Sequence, residues 1–258
     1  MAHSEFLVLP ANASPDSYPN NKNNNFRVKL PQRLTLQSGK WSIGLRSIHY
    51  HNNWFNVDIG EIKLRQKNRD GTYAVHTRKV PPGRYLEAWR LLSEIRVCIN
   101  SSESTNEKVT FYHDETSDTL YLHFANEDWS VKLSDDLAHV FALRSEEWYS
   151  CPSAGVKTIS RRCVPDVFAG HNFMYVYCNL VAPRVVGHTL VPLLAQIAVK
   201  NPERTVETVF YEPSKPQLLP VASTDTSEVE IDIRRGDGEP FLFRSGVVSV
   251  TVELRELI

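Results

Sequence analysis

The chain has 258 residues, of which 41% are hydrophobic and 23% charged, and its formal net charge is -1. This composition is typical of a soluble globular protein, and the length suffices for one large β domain or two ordinary domains. A charge so near zero argues against a general attraction to nucleic acid or anionic membranes, although a local basic patch stays open. No segment has the roughly 18 to 20 apolar residues of a membrane span.

Neither a secretory signal nor a disulfide framework is predicted. Residues 1–10 lack a basic start, and their apolar run is too short for a signal peptide. Four cysteines in a chain of this length are too few for a disulfide scaffold. The sequence therefore predicts an intracellular, reduced protein.

The first 66 residues predict short strands. Phe6–Leu9 is one, and Phe26–Leu30 alternates apolar and polar residues until Pro31 ends it. The polar residues 11–25 between them predict a loop with nothing to bury. In the segment 41–50 the apolar residues fall at odd positions up to Leu45 and at even positions from Ile48 onwards. This shift predicts a β-bulge near Arg46.

The pattern then changes to a mixture of helices and strands. Asp70-Gly71 lies between two alternating runs and predicts a hairpin turn. Apolar residues at helical spacing predict a helix over 85–99, and Ser134 is the expected N-cap of a second helix. The three short strands between these helices are predicted to form a meander: Val109–His113, Leu120–Phe124 and Trp129–Leu133. Residues 144–172 have no periodicity and predict a long connection.

The C-terminal part returns to strands. Met174–Val181 is rich in β-branched and aromatic residues and is apolar at both parities, which predicts a strand buried on both faces. Val229–Arg234 and Val248–Leu254 alternate regularly. Few helices separate these strands, so antiparallel pairing is expected. We predict a mainly β fold, an antiparallel jelly-roll β-sandwich with a small inserted α+β module.

No catalytic or metal-binding motif is present, and no cofactor is expected. Cys151, Cys163, His171 and Cys178 are a zinc alternative, but their spacing lacks a paired C-x-x-C, so free buried thiols are preferred. His49 and His51 share a strand face without an evident third ligand. The chain is therefore predicted not to be an enzyme.

Local basic residues leave a nucleic-acid alternative. Arg161-Arg162, Arg234-Arg235 and several Lys and Arg within 61–90 are able to contact phosphates. The solvent-facing side of an alternating sheet explains the same residues, and the balanced net charge favours that interpretation. No direct nucleic-acid binding is expected.

The chain resembles the minor capsid, or penton, proteins encoded by Polinton (Maverick) elements and related viruses. The likeness covers nearly the whole chain in order and is specific as an ensemble. It lies in the segments Leu7–Pro10, Phe26–Pro31, Trp41–Ile48, Asn53–Val57, Gly83–Tyr85, Val109–Asp114, Val131–Ala138, Tyr175–Val181, Val186–Gly187, Pro192–Leu194, Val229–Arg235, Gly238–Phe243 and Val248–Val252.

The resemblance implies a non-enzymatic jelly-roll capsid component. Five copies would form a homopentamer at each fivefold vertex of an icosahedral shell built mainly from a double-jelly-roll major capsid protein. The location implied is the virion, preceded by an intracellular stage in the nucleus or cytoplasm. The Asn-rich residues 11–25 would become ordered only against neighbouring capsid proteins.

With this resemblance the domain boundaries and a candidate subunit interface follow as predictions. Residues 1–66 and 167–258 are assigned to the jelly roll, and residues 67–166 to an insertion that projects from it. The candidate interface residues are Val185, Val186, Leu190, Trp54 and Phe55. For 185–194, burial in the core is an equal alternative. Two rival functions are a receptor- or glycan-binding β-sandwich and a domesticated cellular interaction protein.

Overall fold

The computed structural model describes residues 3–57, 60–100, 108–151, 158–168, 170–199 and 208–257. None of the helices in these ranges is long and apolar enough to cross a membrane. In chain order the elements are β1 (Ser4–Pro10), β2 (Asn25–Leu36), β3 (Trp41–His51), β4 (Gly60–Lys67), β5 (Tyr73–Val80), α1 (Ala88–Asn100), β6 (Val109–Asp114), β7 (Thr119–Phe124), β8 (Trp129–Leu133), α2 (Asp135–Val140), β9 (Tyr149–Ser150), β10 (Thr158–Arg162), β11 (Phe173–Cys178), β12 (Arg184–Val186), β13 (Thr189–Val191), β14 (Leu193–Ala198), β15 (Thr208–Tyr211), β16 (Leu219–Pro220), β17 (Thr224–Arg235) and β18 (Ser249–Glu256).

The chain divides into two compact units. The first unit comprises residues 1–54 and 170–258, and the second comprises residues 55–169. The predicted boundary after residue 66 differs, because β4 pairs with β5 and β8 of the second unit. An alternating strand such as β4 fits any sheet with one buried face, so its pattern does not specify which sheet it joins.

The first unit is a jelly roll. One sheet has the order β1-β18-β3-β15, with β16 also paired to β3, and the other has the order β14-β11-β17-β2. Numbering its eight principal strands along the chain gives 1-8-3-6 and 5-4-7-2. This interleaving is that of two Greek keys wound into a jelly roll. The predicted mainly β, antiparallel sandwich is therefore confirmed.

The core of the first unit lies between the two sheets and is formed by the inward side chains of each strand. Residues from both sheets belong to one buried cluster, among them Leu9, Phe26, Ile43, Val176, Ile231 and Val252. Alternation brings this about, since successive side chains of a strand point to opposite faces. In β11 only Met174, Val176 and Cys178 are buried, so the prediction of burial on both faces was wrong.

Local irregularities of the strands agree in part with the sequence. Ser47 pairs with Thr251 while Leu45 pairs with Val252, so Arg46 is the extra residue of the predicted bulge. Pro31 does not end β2, which continues to Leu36. Because β2 lies at the edge of its sheet, the N–H that proline lacks is not needed for a ladder bond on the open side.

The loop 11–25 is held by hydrogen bonds within the chain, contrary to the expectation that it orders only against neighbours. Asn21 donates from Nδ2 to the carbonyl of Arg27 at 2.8 Å and accepts from the Arg27 N–H at 2.9 Å. Asn23 donates to the carbonyl of Gly246 at 3.0 Å and accepts from the Val248 N–H at 3.2 Å. Each asparagine side chain thus donates to one backbone carbonyl and accepts from one backbone N–H, as the backbone of a paired strand would.

The second unit contains two antiparallel sheets, β5-β4-β8-β9 and β10-β7-β6, and α1 packs against β5 and β6. The predicted hairpin around Gly71 joins β4 to β5. The three-stranded meander was wrong, because β8 pairs with β4 and β9 instead of β7. Residues 144–172, predicted as a connection, contain β9 and β10.

Helix α2 begins after Ser134, as predicted, but that residue is not a side-chain N-cap. Its Oγ accepts a hydrogen bond from the backbone N–H of Glu61 at 3.1 Å. Asp135 and Asp136 occupy the first turn, where the helix dipole favours negative charge. Ser134 thus connects the start of α2 to the start of β4.

Gly246 is the position in the first unit where we expect backbone conformation and close packing to forbid a side chain. Its φ is +81°, and a Cβ there would overlap the ring of His51. Gly246→Ala should lower the free energy of unfolding by about 2 to 3 kcal/mol, measured by chemical denaturation. Gly39→Ala is the matched control, because Gly39 has the same φ with nothing within 4 Å, and it should cost about 1 kcal/mol. Equal losses for the two variants would contradict the packing argument.

Candidate functional site

The candidate site is a β-hairpin, β12–β13, inserted between two strands of the jelly roll. A two-residue turn, Gly187-His188, joins its strands, and Gly187 has a φ of +61°. Glycine at the first turn position suits the type II′ turn, which matches the twist of a hairpin. The turn thereby fixes the register in which Val185 lies directly opposite Leu190.

Val185 and Leu190 form an exposed apolar pair on this hairpin. Val185 is 73% exposed, the highest value among the large hydrophobic residues of the described chain, and Leu190 is 69% exposed. Directly opposed side chains of an antiparallel pair lie close enough to present one surface. For 185–194 the core interpretation holds for Leu193 and Leu194, which are buried, whereas Val185 and Leu190 are exposed and their role in a contact stays a prediction. Val186 is half-buried.

A groove of about 580 Å³ lies beside the hairpin, lined by Tyr177, Thr189, Val191, Glu230, Asp232 and Arg234 among others. Its charges are satisfied internally. Arg234 Nε donates to Asp232 Oδ2 at 2.7 Å, and this hydrogen bond raises the pKa of Arg234 above its ordinary value. Arg234 also donates to the carbonyl of Gly238 at 3.2 Å. The arrangement fixes the wall of the groove.

The two other predicted interface residues are placed differently. Trp54 is 1% exposed, and its ring meets that of Phe241 edge-on with centroids 5.0 Å apart. Its assignment to a subunit surface is therefore corrected, since the side chain belongs to the core of the first unit. Phe55 is half-buried and belongs to the second unit.

The zinc alternative is not supported by the positions of Cys163, His171 and Cys178. Cys178 is buried in the core of the first unit, where burial raises the pKa of its thiol to about 12. Cys163 is buried in the core of the second unit, and its Sγ donates to the carbonyl of Phe141 at 2.9 Å. His171 lies near Arg235 and against the Phe241 ring. Within the described ranges no three His, Cys, Asp or Glu residues are grouped to hold a metal ion.

The histidine pair also has packing roles. His49 contacts the ring of Phe210 edge-on at 5.0 Å between centroids, on the outer face of the sheet that contains β3 and β15. His51 lies against Gly246. Both histidine side chains therefore contact other residues of the first unit.

Sequence reasoning missed a second exposed apolar surface, on the edge strand β1. Phe6 is 54% exposed and Val8 is 64% exposed, whereas Leu9 is buried. Phe6 and Val8 belong to the run Phe6–Leu9, which is apolar at both parities, so the pattern alone does not tell an exposed apolar face from a strand buried on both faces. An apolar edge strand with unpaired backbone groups is a ready site for association with another chain.

Comparison of the sequence with models of protein families and with curated proteins finds no match. Among solved structures, the fold is similar to the crystal structure of a selenomethionine-labelled mavirus penton protein, with a TM-score of 0.48 and 8% sequence identity. The alignment covers 99% of this chain and 100% of that chain.

Proposed function

We propose that the chain is a structural, non-enzymatic capsid subunit of the penton type, which assembles with copies of itself into a closed ring. The observation that carries the proposal is the strand order of the first unit, 1-8-3-6 against 5-4-7-2. Eight-stranded jelly rolls of this kind build viral capsid domains, and they also occur in lectins and cupins. The sequence resemblance to Polinton penton proteins favours the capsid among these.

A cyclic ring requires each subunit to present two different surfaces to its neighbours. The first unit has two separate exposed apolar surfaces, Val185 with Leu190 on the hairpin and Phe6 with Val8 on β1. We assign the hairpin surface to the contact with one neighbour. The ring is a pentamer at a fivefold vertex, its second partner is the major capsid protein, and its location is the virion of a Polinton-like element.

Replacing both hairpin residues by serine should weaken ring assembly without unfolding the chain. Removing two exposed apolar side chains from a buried contact costs more than 1.4 kcal/mol, so the concentration at half-assembly should rise at least tenfold in Val185→Ser/Leu190→Ser. Size-exclusion chromatography with light scattering measures this, alone and after co-expression with the major capsid protein. The control is Val75→Ser/Val164→Ser, which alters two valines of the second unit that are 54% and 69% exposed.

The control variant should assemble like the original protein. An original protein that stays monomeric and does not join capsids of the major capsid protein would contradict the function itself. Assembly that is unchanged in the hairpin variant would contradict only the assignment of the hairpin to the contact.

A further inference from the structure

The outer face of the sheet β5-β4-β8-β9 in the second unit gathers cations and aromatic rings. Lys63, Arg65 and Lys67 lie on one side of β4, because alternate residues of a strand share a face, while Leu64 on the other side is buried. Lys132 of β8 lies opposite Lys63. We call this surface the basic face, and it consists of Lys63, Arg65, Lys67, Tyr73, Lys132 and Trp148.

Arg65 is held between two aromatic rings at the centre of the basic face. Its guanidinium carbon lies 4.5 Å from the centroid of the Tyr73 ring and 4.5 Å from that of the Trp148 ring. These cation–π contacts orient the group and leave its positive charge unneutralised. A guanidinium whose planar faces are covered interacts through the N–H donors at its edge, and since Nε of Arg65 is buried, its Nη groups are the donors that fit the oxygen atoms of an oxyanion.

The charge of this surface departs from that of the chain. Residues 60–80 contain six lysine and arginine residues and only two acids, Glu61 and Asp70, whereas the whole chain has a net charge of -1. Asp70 accepts hydrogen bonds from the N–H and Oγ of Thr72 in its own turn, which lower the pKa of its carboxyl. Within the described ranges, neither Arg65 nor Lys67 takes part in an ion pair with an acidic side chain.

The basic face is short, because acidic side chains pair with its cations at one end and the strand stops at the other. At one end Lys63 pairs with Glu61 at 3.2 Å, and Lys132 pairs with Glu146 at 2.7 Å. At the other end β4 stops at Lys67, whose backbone N–H donates to the backbone carbonyl of Asp128. From Lys63 to Lys67 the strand spans only about 13 Å at 3.3 Å per residue. A nucleic acid strand, which carries a charge about every 3.4 Å, would extend past this stretch and, at the Lys63 end, meet Glu61 and Glu146.

We propose that the basic face binds a short sulfated oligosaccharide. The ring faces of Tyr73 and Trp148 that contact Arg65 are closed to nucleobases, which disfavours the stacking that single-stranded nucleic acids need. A sulfated sugar requires only oxyanion contacts spaced along a short stretch. The proposal concerns the second unit and does not depend on ring assembly.

Isothermal titration of the full chain with a heparin-derived tetrasaccharide tests the proposal. Arg65→Gln/Lys67→Gln should reduce affinity at least tenfold at about 0.15 M salt, where exposed charges are already screened. A second variant, Lys67→Gln/Lys63→Gln, alters two exposed side chains and keeps the test valid if Arg65 is needed for folding. The matched control is Arg161→Gln/Arg162→Gln, which removes two exposed charges from β10 of the same unit and should change affinity less than twofold.

Three results would overturn the proposal. The first is that the original protein does not bind the tetrasaccharide. The second is that the control loses as much affinity as the basic-face variants, which would indicate an effect of net charge. The third is that a 20-nucleotide single-stranded DNA binds more tightly than the tetrasaccharide and loses affinity in the same variants, which would assign the face to nucleic acid.

Discussion

Replacing Trp54 by alanine is expected to lower the free energy of unfolding of the jelly-roll unit by about 3 to 5 kcal/mol. The Trp54 side chain is 1% exposed and contacts the rings of Phe241 and Tyr50, with centroids 5.0 and 6.3 Å away. Its removal forfeits the transfer free energy of a large aromatic group and leaves a cavity that its neighbours fill only in part. Urea denaturation followed by far-ultraviolet circular dichroism measures the loss.

Phe210→Ala is the control for this prediction. Phe210 is also an aromatic residue of the first unit, but it is 57% exposed and contacts His49 at the surface. Its replacement should cost less than about 1 kcal/mol. If Trp54→Ala kept full stability and instead abolished ring assembly, Trp54 would act at the subunit surface, as the sequence alone predicted.

The jelly roll was predictable because its strands carry strong local signals. Val229, Ile231 and Ile233 alternate with charged residues, and all three are buried. The change of parity after Leu45 required an extra residue, which the pairing places at Arg46. Such signals depend only on neighbouring residues, and the two-residue period assigns each side chain to a face.

Strand partners were less predictable, because pairing is decided by residues distant in sequence. The strand β8 alternates as a meander strand would, but its partner is β4, where Arg65 opposite Ser130 lies 65 residues earlier in the chain. The burial of Trp54 depended on its contact with Phe241, a residue distant in sequence. Its polar neighbours Asn52 and Asn53 suggested a surface position, yet both are buried as well.

The candidate surfaces were predictable to different degrees. Val185 and Leu190 were named from the sequence as interface candidates. Their exposure could not be predicted, because it depends on the turn at Gly187, which places both residues on a separate hairpin. The lysines and arginines within 61–90 were considered as phosphate contacts and set aside, because cations elsewhere in the chain are balanced by acids and the net charge is near zero. The stack of Arg65 between Tyr73 and Trp148 joins residues that are 8 and 83 positions away from it.

The Asn56 side chain joins distant backbone segments of the second unit by hydrogen bonds. We expect Asn56→Ala to lower the free energy of unfolding of this unit by about 3 to 5 kcal/mol. The Nδ2 group donates to the carbonyls of Tyr85 and Val167 at 2.7 and 2.6 Å, and Oδ1 accepts from the Tyr85 N–H at 2.8 Å. Alanine would leave these three backbone groups buried without their partner, at about 1 to 3 kcal/mol each. Chemical denaturation measures the loss. Asn126→Ala is the control, since Asn126 accepts a hydrogen bond in an exposed turn, and it should cost about 1 kcal/mol or less.

Asn56→Asp keeps the volume of the side chain and removes its Nδ2 donor, so it tests the hydrogen bonds separately from the loss of volume. A carboxylate at this position would face two carbonyl oxygens, so its pKa in the folded state should rise above the unfolded value of about 3.9. The folded variant then binds more protons than the unfolded one, and its stability should fall as the pH rises from about 4 through the folded pKa. Asn56→Ala has no such group, so its loss of stability relative to the original protein should be nearly independent of pH over that window. A pH-independent loss in Asn56→Asp would show that Nδ2 does not donate to the two carbonyls, and would remove the reason for expecting the alanine variant to be so unstable.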